Sequence, residues 1–417
     1  MKLIVGLDVS SSELDVCFLT DDDNFPVLKE ASFENDQISA IQIKELILHY
    51  VEELNIDQII IGMEATSLYS FHPAMFFHED PELSVLNTSV FVEQPNKIKK
   101  YREVFEESKD DRIDAFYIAD YFRVNRNGVS ILKEEQYVAL QHLTRTRLQL
   151  VEGLVRTKQH FTENIYYKCN TLPKELKSDD QNTSIFSATI MELMTADYTL
   201  DDLKALSLEE FTALVDQLGR GRFKDSKKVA KSISKAIRGS YRLSKTHEES
   251  VDRVLSVLVR QIRSFEKSIK EIDKAIEEIV ETLPEYQCLT SVPGIGKVYA
   301  GGIIAEIGQI ERFENQAQIA KFAGLFWPHK QSGKMKSENT KLAKRGNRYL
   351  RYYLVEAANS VRRYEPDYRA YYQKKYDETP KHQHKRAIVL TARKLVRLVD
   401  VLLRNHQLYT PPKERIK

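Results

Sequence analysis

Between Val251 and Leu283 ten apolar residues (Val251, Leu255, Leu258, Ile262, Phe265, Ile269, Ile272, Ile276, Ile279 and Leu283) follow one another at alternating spacings of four and three. A 3.5-residue period held this long keeps one seam of a helix apolar, which is the pattern of a coiled coil. A looser stripe of Leu143, Leu150, Leu154, Phe161 and Ile165 makes 133–170 a second helix, a rod of about 55 Å at 1.5 Å per residue. The seam closes either on that helix, as an intramolecular hairpin, or on another subunit. In both cases it is a spacer and scaffold. It divides the chain into an expected α/β domain at 1–125, a coiled-coil and linker region at 130–283 with an insertion of short helices at about 171–240, and a mainly α domain at 284–410.

The opening stretch Leu3-Ile-Val-Gly-Leu-Asp8-Val-Ser-Ser-Ser-Glu-Leu-Asp-Val-Cys-Phe-Leu19 reads as a β-hairpin that leaves Asp8 where a central strand stops. By itself Asp8 reads first as a solvated turn former. Downstream, Gln58-Ile-Ile-Ile-Gly-Met-Glu64 is a second buried-type strand ending in a carboxylate, and Asp111 and Asp114, spaced i, i+3, share one helix face. Four carboxylates from two strand ends and one helix can converge, and hard divalent cations such as Mg²⁺ take oxygen ligands. Around them the pattern predicts a third strand at 25–33, a helix at 37–54 capped by Asp36, a short aromatic helix at 67–78, strand-like pieces at 83–87 and 89–92, and a basic helix at 94–102. Three strands, a helix, then strand–helix alternation is the order of a ribonuclease H-like α/β domain.

The net charge of +1 hides an asymmetry: residues 1–120 carry roughly −16 and residues 328–417 roughly +15. An acidic front and a basic back suit a polyanionic substrate, or a basic tail docked on the acidic part. Cys17, Cys169 and Cys288 are isolated, without zinc spacing, and are expected to be reduced thiols. No apolar run approaches the ~18 residues of a membrane span, and no basic-then-apolar leader is present, so we expect a soluble intracellular protein without a membrane partner.

Leu289-Thr-Ser-Val-Pro-Gly294-Ile-Gly296-Lys297 reads as helix, tight hairpin, helix. Such a turn offers Gly294, Gly296 and Lys297 to phosphate without base specificity, or is a plain turn between packed helices. Next comes Phe322-Ala-Gly-Leu-Phe-Trp-Pro328-His-Lys-Gln-Ser332-Gly-Lys334, a serine in a Lys-rich loop, and then Leu342-Ala-Lys344-Arg345-Gly-Asn-Arg348-Tyr-Leu-Arg351. Lys334, Lys344, Arg345, Arg348 and Arg351 are candidate phosphate contacts, and cations there lower the cost of forming an alkoxide at Ser332; most loop serines are nevertheless inert. The Lys-His382-Gln-His384-Lys-Arg run is read as a phosphate-contacting loop rather than a metal site, because adjacent positive charge disfavours a cation.

With both ends in view, the chain resembles the DEDD-type insertion-sequence transposases, whose N-terminal domain is similar to the RuvC Holliday junction resolvases. The matching pieces are Gly6-Leu-Asp8-Val-Ser, Gly62-Met-Glu64-Ala-Thr, Asp111-Arg-Ile-Asp114-Ala, Pro293-Gly-Ile-Gly296, Phe322-Ala-Gly-Leu, Gln331-Ser332-Gly-Lys and Lys344-Arg-Gly-Asn-Arg-Tyr-Leu-Arg351, in order across nearly the whole chain. Asp110 stands where Thr is more usual before Asp111, and 171–240 matches no motif. The resemblance implies a RuvC-like, ribonuclease H-like fold, long coiled-coil helices and a helix–hairpin–helix in the mainly α domain. It implies that Asp8, Glu64, Asp111 and Asp114 bind Mg²⁺ and that Ser332 is the nucleophile of a DNA recombinase that excises and inserts its own element. It further implies a site assembled between subunits of a dimer or tetramer, a structured noncoding guide RNA beside element-end and target DNA, and residence in the cytoplasm, at the nucleoid when DNA-bound. The alternatives are a metal-dependent, structure-selective resolvase, in which water attacks and Ser332 only orients a phosphate, and a non-catalytic nucleic-acid-binding protein.

Overall fold

The computed structural model describes residues 1–22, 27–66, 68–93, 95–105, 111–124, 134–177, 183–195, 197–327, 331–332, 335–336, 342–343 and 345–411; the side chains of 111–113, 331–332 and 335–336 lie outside the description. The chain forms two compact units, Met1–Gln136 with Gly308–Gln318, and Tyr137–Ile307 with Ile319–Lys417.

The first unit runs β1 (Lys2–Val9), β2 (Glu13–Thr20), β3 (Val27–Glu34), α1 (Gln37–Leu54), β4 (Gln58–Glu64), α2 (Phe71–Glu79), α3 (Pro81–Ser84), β5 (Thr88–Glu93), α4 (Pro95–Arg102) and α5 (Asp111–Val124). Its sheet has the order β3-β2-β1-β4-β5. β1 and β3 flank β2 antiparallel, whereas β4 runs parallel to β1 and β5 parallel to β4. Strand β1 is covered on both faces, which is why it reads as an unbroken apolar run. Leu3, Val5 and Leu7 pack with Ile43 and Ile47 of α1, while Ile4 on the opposite face packs with Ile118 and Ala119 of α5. Asp36 caps α1, accepting from the Ser39 N–H at 2.8 Å. The strand expected at 83–87 is instead the short helix α3 followed by a turn. Pro81 sits in its first turn and the Asp80 carboxylate takes the N–H groups of Glu82 and Leu83, at 3.0 and 3.1 Å, so local capping outweighs the apolar content of the segment.

The second unit is built on α6 (Glu135–Lys168) and α12 (Lys245–Val280). They run antiparallel: Arg147 pairs with Asp273, Lys158 with Glu266 at 2.8 Å, and Lys168 with Asp252 at 2.6 Å, and a Cβ on Gly153 would meet the Phe265 ring. The heptad seam therefore closes within the chain. None of its ten residues is exposed, and Phe265, Ile269 and Ile272 at its middle are half-buried where ion pairs flank them. Between the two rods α7 (Leu172–Glu175), α8 (Ala188–Leu193), α9 (Leu200–Ala205), α10 (Leu208–Gly219) and α11 (Ser226–Gly239) are the short helices expected at 171–240, and they share a core of Leu172, Ile190, Leu203, Phe211 and Ile233 with Ile165 and Leu255 of the rods. Then follow α13 (Pro284–Thr290), α14 (Lys297–Ile307), α15 (Gln316–Phe322), the two-residue strands β6 (Gln331–Ser332) and β7 (Met335–Lys336), α16 (Arg348–Tyr364), α17 (Pro366–Asp377) and α18 (Gln383–Arg404). Leu350, Leu354 and Val361 of α16 and Leu395 and Val399 of α18 are fully buried.

Candidate functional site

Period-2 alternation decides where the carboxylates of the first unit point. In β1 residues 4, 6 and 8 face α5, in β4 residues 60, 62 and 64, and in β5 residues 91 and 93: a Cβ on Gly6 would lie 2.4 Å from the Ala115 carbonyl oxygen, one on Gly62 would strike the Phe122 ring, and Phe91 stacks on Phe122 at 5.6 Å. Leu7 is in register with Met63, and Glu64 with Glu93. One residue beyond the last β1–β4 pair, Asp8 is therefore level with Glu64, on neighbouring strands about 4.8 Å apart. On the other side Asp8 pairs directly with Asp15 of β2. Asp15, Asp8, Glu64 and Glu93 thus make one row across four adjacent strands, all on the face that α5 covers. The two glycines let α5 lie close to the sheet, which brings its first turn, with Asp111 and Asp114, to the end of the sheet where this row lies.

Two members of the row escaped the reading of the sequence. Glu93 is buried, ion-paired to Lys97 at 2.7 Å and within 3.3 Å of the Tyr121 hydroxyl; Asp15 accepts from the Ser32 hydroxyl. The signal for Glu93 was available, since Phe91-x-Glu93 repeats the spacing of Gly62-x-Glu64. What was lacking is the parallel register that sets them side by side.

Arg102 at the end of α4 reaches into this cluster. Its guanidinium pairs with Asp114, each side chain being largely buried, and the Asp114 carboxylate, with Glu64 adding to it, holds the arginine above its ordinary pKa. Among the described residues no three carboxylates are gathered as ligands of one ion, and the Asp111 side chain lies outside them. The donor set nonetheless suits a hard cation, since it consists of oxygen ligands. Of the expected ligands, the carboxylates of Asp8, Glu64 and Asp114 could hold a divalent metal at this end of the sheet; the Asp111 side chain lies outside the described residues.

In the second unit α13, the Pro-Gly-Ile-Gly turn and α14 form the expected helix–hairpin–helix. Gly294 has φ of +99°, and a Cβ there would come within 2.9 Å of the α16 backbone at Val361, so its glycine serves packing. Gly296 is exposed, and Lys297 pairs with Glu277 of α12. Ser332 ends β6 and is in register with Met335, while Lys334 and Lys344 lie outside the described residues. Arg345 and Arg348 are exposed; Arg351 turns its guanidinium inward, donating to the Ala323 carbonyl at 3.0 Å. His384 is exposed, with its ring nitrogen bonded to the Tyr372 hydroxyl at 2.7 Å.

The two stems that lead to Ser332 are joined to each other. The Asn347 N–H donates to the Phe322 carbonyl at 2.7 Å and the Ala343 N–H to the Phe326 carbonyl at 3.0 Å; Gly346, with φ of +123°, passes so close to Phe322 that a Cβ would lie 2.3 Å from its oxygen. Asn347 also caps α16, accepting from the N–H groups of Tyr349 and Leu350 at 2.9 and 3.0 Å, and its amide donates to Glu306 at 2.6 Å. Glu306 is fully buried and satisfied: Arg145 donates to it twice, at 2.7 and 2.9 Å, and Gln141 once, at 3.0 Å. A lone acid in Gly301-Gly-Ile-Ile-Ala-Glu306-Ile was a legible sign of a buried charge with a partner, which the sequence reading passed over.

No described helix is long and apolar enough to cross a membrane. A DEDD-type transposase domain matches residues 5–165, and the domain described as the IS116/IS110/IS902 transposase family matches residues 286–373. Among relatives, the chain is 25% identical over 306 residues, 73% of either chain, to an uncharacterised 44.8 kDa protein of insertion element IS116 from Streptomyces clavuligerus. It is 28% identical over 112 residues (27% of this chain, 30% of the relative) to the transposase of insertion sequence element IS1111A from Coxiella burnetii. It is also 28% identical over 113 residues (25% and 35%) to a pilin gene-inverting protein of Moraxella bovis. Asp8, Glu64 and Asp114 fall in the first matched domain and Ser332 in the second, and the chain carries, in this order, both transposase domains of the IS110 family of insertion sequences.

Proposed function

We propose that this transposase is an RNA-guided recombinase: it excises and inserts its element by attack of Ser332 on DNA at a Mg²⁺-dependent centre held by Asp8, Glu64, Asp111 and Asp114. The observation that supports this best is the row of strand-end carboxylates facing the first turn of α5, in a domain of the DEDD type. A divalent ion, when bound there, polarises the scissile phosphate and stabilises charge on its oxygens. Asp8 and Glu64 orient from the sheet, and Asp111 and Asp114 from the helix. Ser332 Oγ forms a bond to phosphorus as one deoxyribose oxygen leaves; the serine loses one proton and the released hydroxyl gains one. A second DNA hydroxyl then reverses the exchange, so one phosphodiester replaces another and no external energy source is needed. Gly296, Lys297, Lys334, Lys344, Arg345 and Arg348 contact phosphates, and pairing of a structured RNA with element and target DNA carries sequence choice. The relative named as a gene-inverting protein fits an enzyme class that rejoins the strands it cuts.

The test is protease digestion of quenched reactions on element-end DNA. A peptide containing Ser332 left on one DNA end, and its absence in Ser332→Ala with DNA binding retained, is the expected result. Free 5′-phosphate and 3′-hydroxyl ends with no peptide would instead assign the attack to water.

A further inference from the structure

Residues 220–245, at the end of the insertion that carries no recognised motif, hold ten lysines and arginines against the single acid Asp225. Helix α11 sorts them. Val229, Ala230, Ile233, Ala236 and Ile237 are buried on one side, and Lys227, Lys231, Lys235 and Arg238 form an exposed stripe on the other, about 16 Å long. Lys235 pairs with Glu175 at 2.7 Å, whereas Lys227, Lys231 and Arg238 have no carboxylate partner among the described residues. The stripe ends at a corner where three elements meet: the Tyr241 N–H donates to Asn170 Oδ1 at 3.2 Å, and the Tyr167 ring lies 6.1 Å from that of His247 at the start of α12. This corner exposes three tyrosines, Tyr166 at 65%, Tyr167 at 56% and Tyr241 at 83%.

A basic amphipathic helix is often a membrane-surface element, but here the apolar face is spent on the core of the insertion and cannot enter a bilayer. Paired duplex DNA would meet the cations yet leave the tyrosine rings nothing to stack on. Unpaired bases beside a phosphate backbone use both, and a folded RNA presents such bases in its loops. We propose that the α11 stripe and the Tyr167/Tyr241 corner form a docking surface for a loop of a structured RNA, the cations holding its backbone and the rings its splayed bases. This rests on the RNA-guided reading above and gives the insertion its function.

Binding of the full-length protein to a labelled RNA hairpin, to linear single-stranded DNA of the loop sequence and to duplex DNA, each over a salt series, tests it. Lys227→Ala/Lys231→Ala/Arg238→Ala is expected to bind the hairpin about 10-fold or more weakly at ~0.15 M salt, with the log–log salt slope shallower by about 2. Tyr167→Ala/Tyr241→Ala is expected to weaken hairpin binding about 10-fold with the slope unchanged. Both variants should melt like wild type and keep wild-type duplex binding, and wild type should prefer the hairpin over the linear DNA. Hairpin binding unchanged in both variants, equal losses on duplex, or no preference over linear DNA overturns the proposal while leaving RNA guidance standing. A wild-type protein that binds no RNA at any salt overturns both.

Discussion

In the first unit Asp8 and Glu64 inherit their places from strand register and from glycines that let a helix lie on the sheet, whereas in the second the stems leading to Ser332 are joined by polar bonds around one buried carboxylate. The first arrangement is rigid because it is made of backbone and apolar contact. Its weak point is volume. The second is directional, since each hydrogen bond specifies an angle as well as a distance, and its weak point is any change that leaves Glu306 or Arg145 without a partner.

The sharpest way to break the first arrangement is Gly6→Ala. Its Cβ would meet the backbone of α5 at Ala115 and Ala119, which no side-chain movement relieves, so we expect a loss of about 3 kcal/mol in stability by thermal or urea unfolding, together with weaker metal binding. An unchanged melting point would mean that α5 does not owe its position to this glycine. For the second arrangement Glu306→Ala is expected to destabilise by about 2 kcal/mol, the partly exposed Arg145 recovering some hydration. Asn347→Ser keeps the α16 cap but cannot reach Glu306; it should cost only about 1 kcal/mol while lowering the yield of covalent protein–DNA adduct about 10-fold. Adduct formation that stays at wild-type level in Asn347→Ser would show that the polar joint supports the fold alone.

Smaller effects sharpen the contrast. Removing the Arg102 guanidinium from Asp114 in Arg102→Ala should tighten Mn²⁺ binding about fivefold in calorimetric titration, because the ion no longer competes with a resident cation. Looser binding would make Arg102 an organiser of the site instead. The last concerns pH. Burial alone would raise the Asp80 pKa, but the Leu83 N–H and the Lys44 ammonium at 3.0 Å outweigh it and hold the carboxyl below its usual value. A carboxylate with a depressed folded pKa contributes stability that is full above its unfolded pKa of about 3.9 and is lost as pH falls through the folded value. Between pH 5 and about 2, wild type should therefore lose melting temperature faster than Asp80→Asn. Parallel acid limbs would remove Asp80 from the account.

Much of this was legible in the sequence, for identifiable reasons. Strands β1 and β4 show because both faces are covered, α12 because its period is unbroken, and α1 because Asp36 marks its start. The carboxylate row was only half legible: Asp8 and Glu64 end their runs, but Asp15 and Glu93 become neighbours only through pairing that no local pattern encodes. Segment 83–87 was misread because capping by Asp80 decided it, not hydrophobicity. The closing of the heptad seam within the chain could not be read either, since the same seam serves both partners; the choice lies in cross-rod pairs such as Arg147–Asp273, over a hundred residues apart. The basic face of helix α11 was not legible, because its charges are averaged over a long, unfamiliar insertion until they are sorted by face.

The central claim is that the strand-end carboxylates form a metal-dependent centre for cutting DNA, and the most direct measurement is strand cleavage of element-end DNA titrated with Mg²⁺ or Mn²⁺ for wild type beside Glu64→Gln and Asp8→Asn. We expect saturable metal dependence in wild type and loss of cleavage in both variants, with DNA binding intact. Cleavage by either variant at the wild-type rate and metal dependence would contradict it.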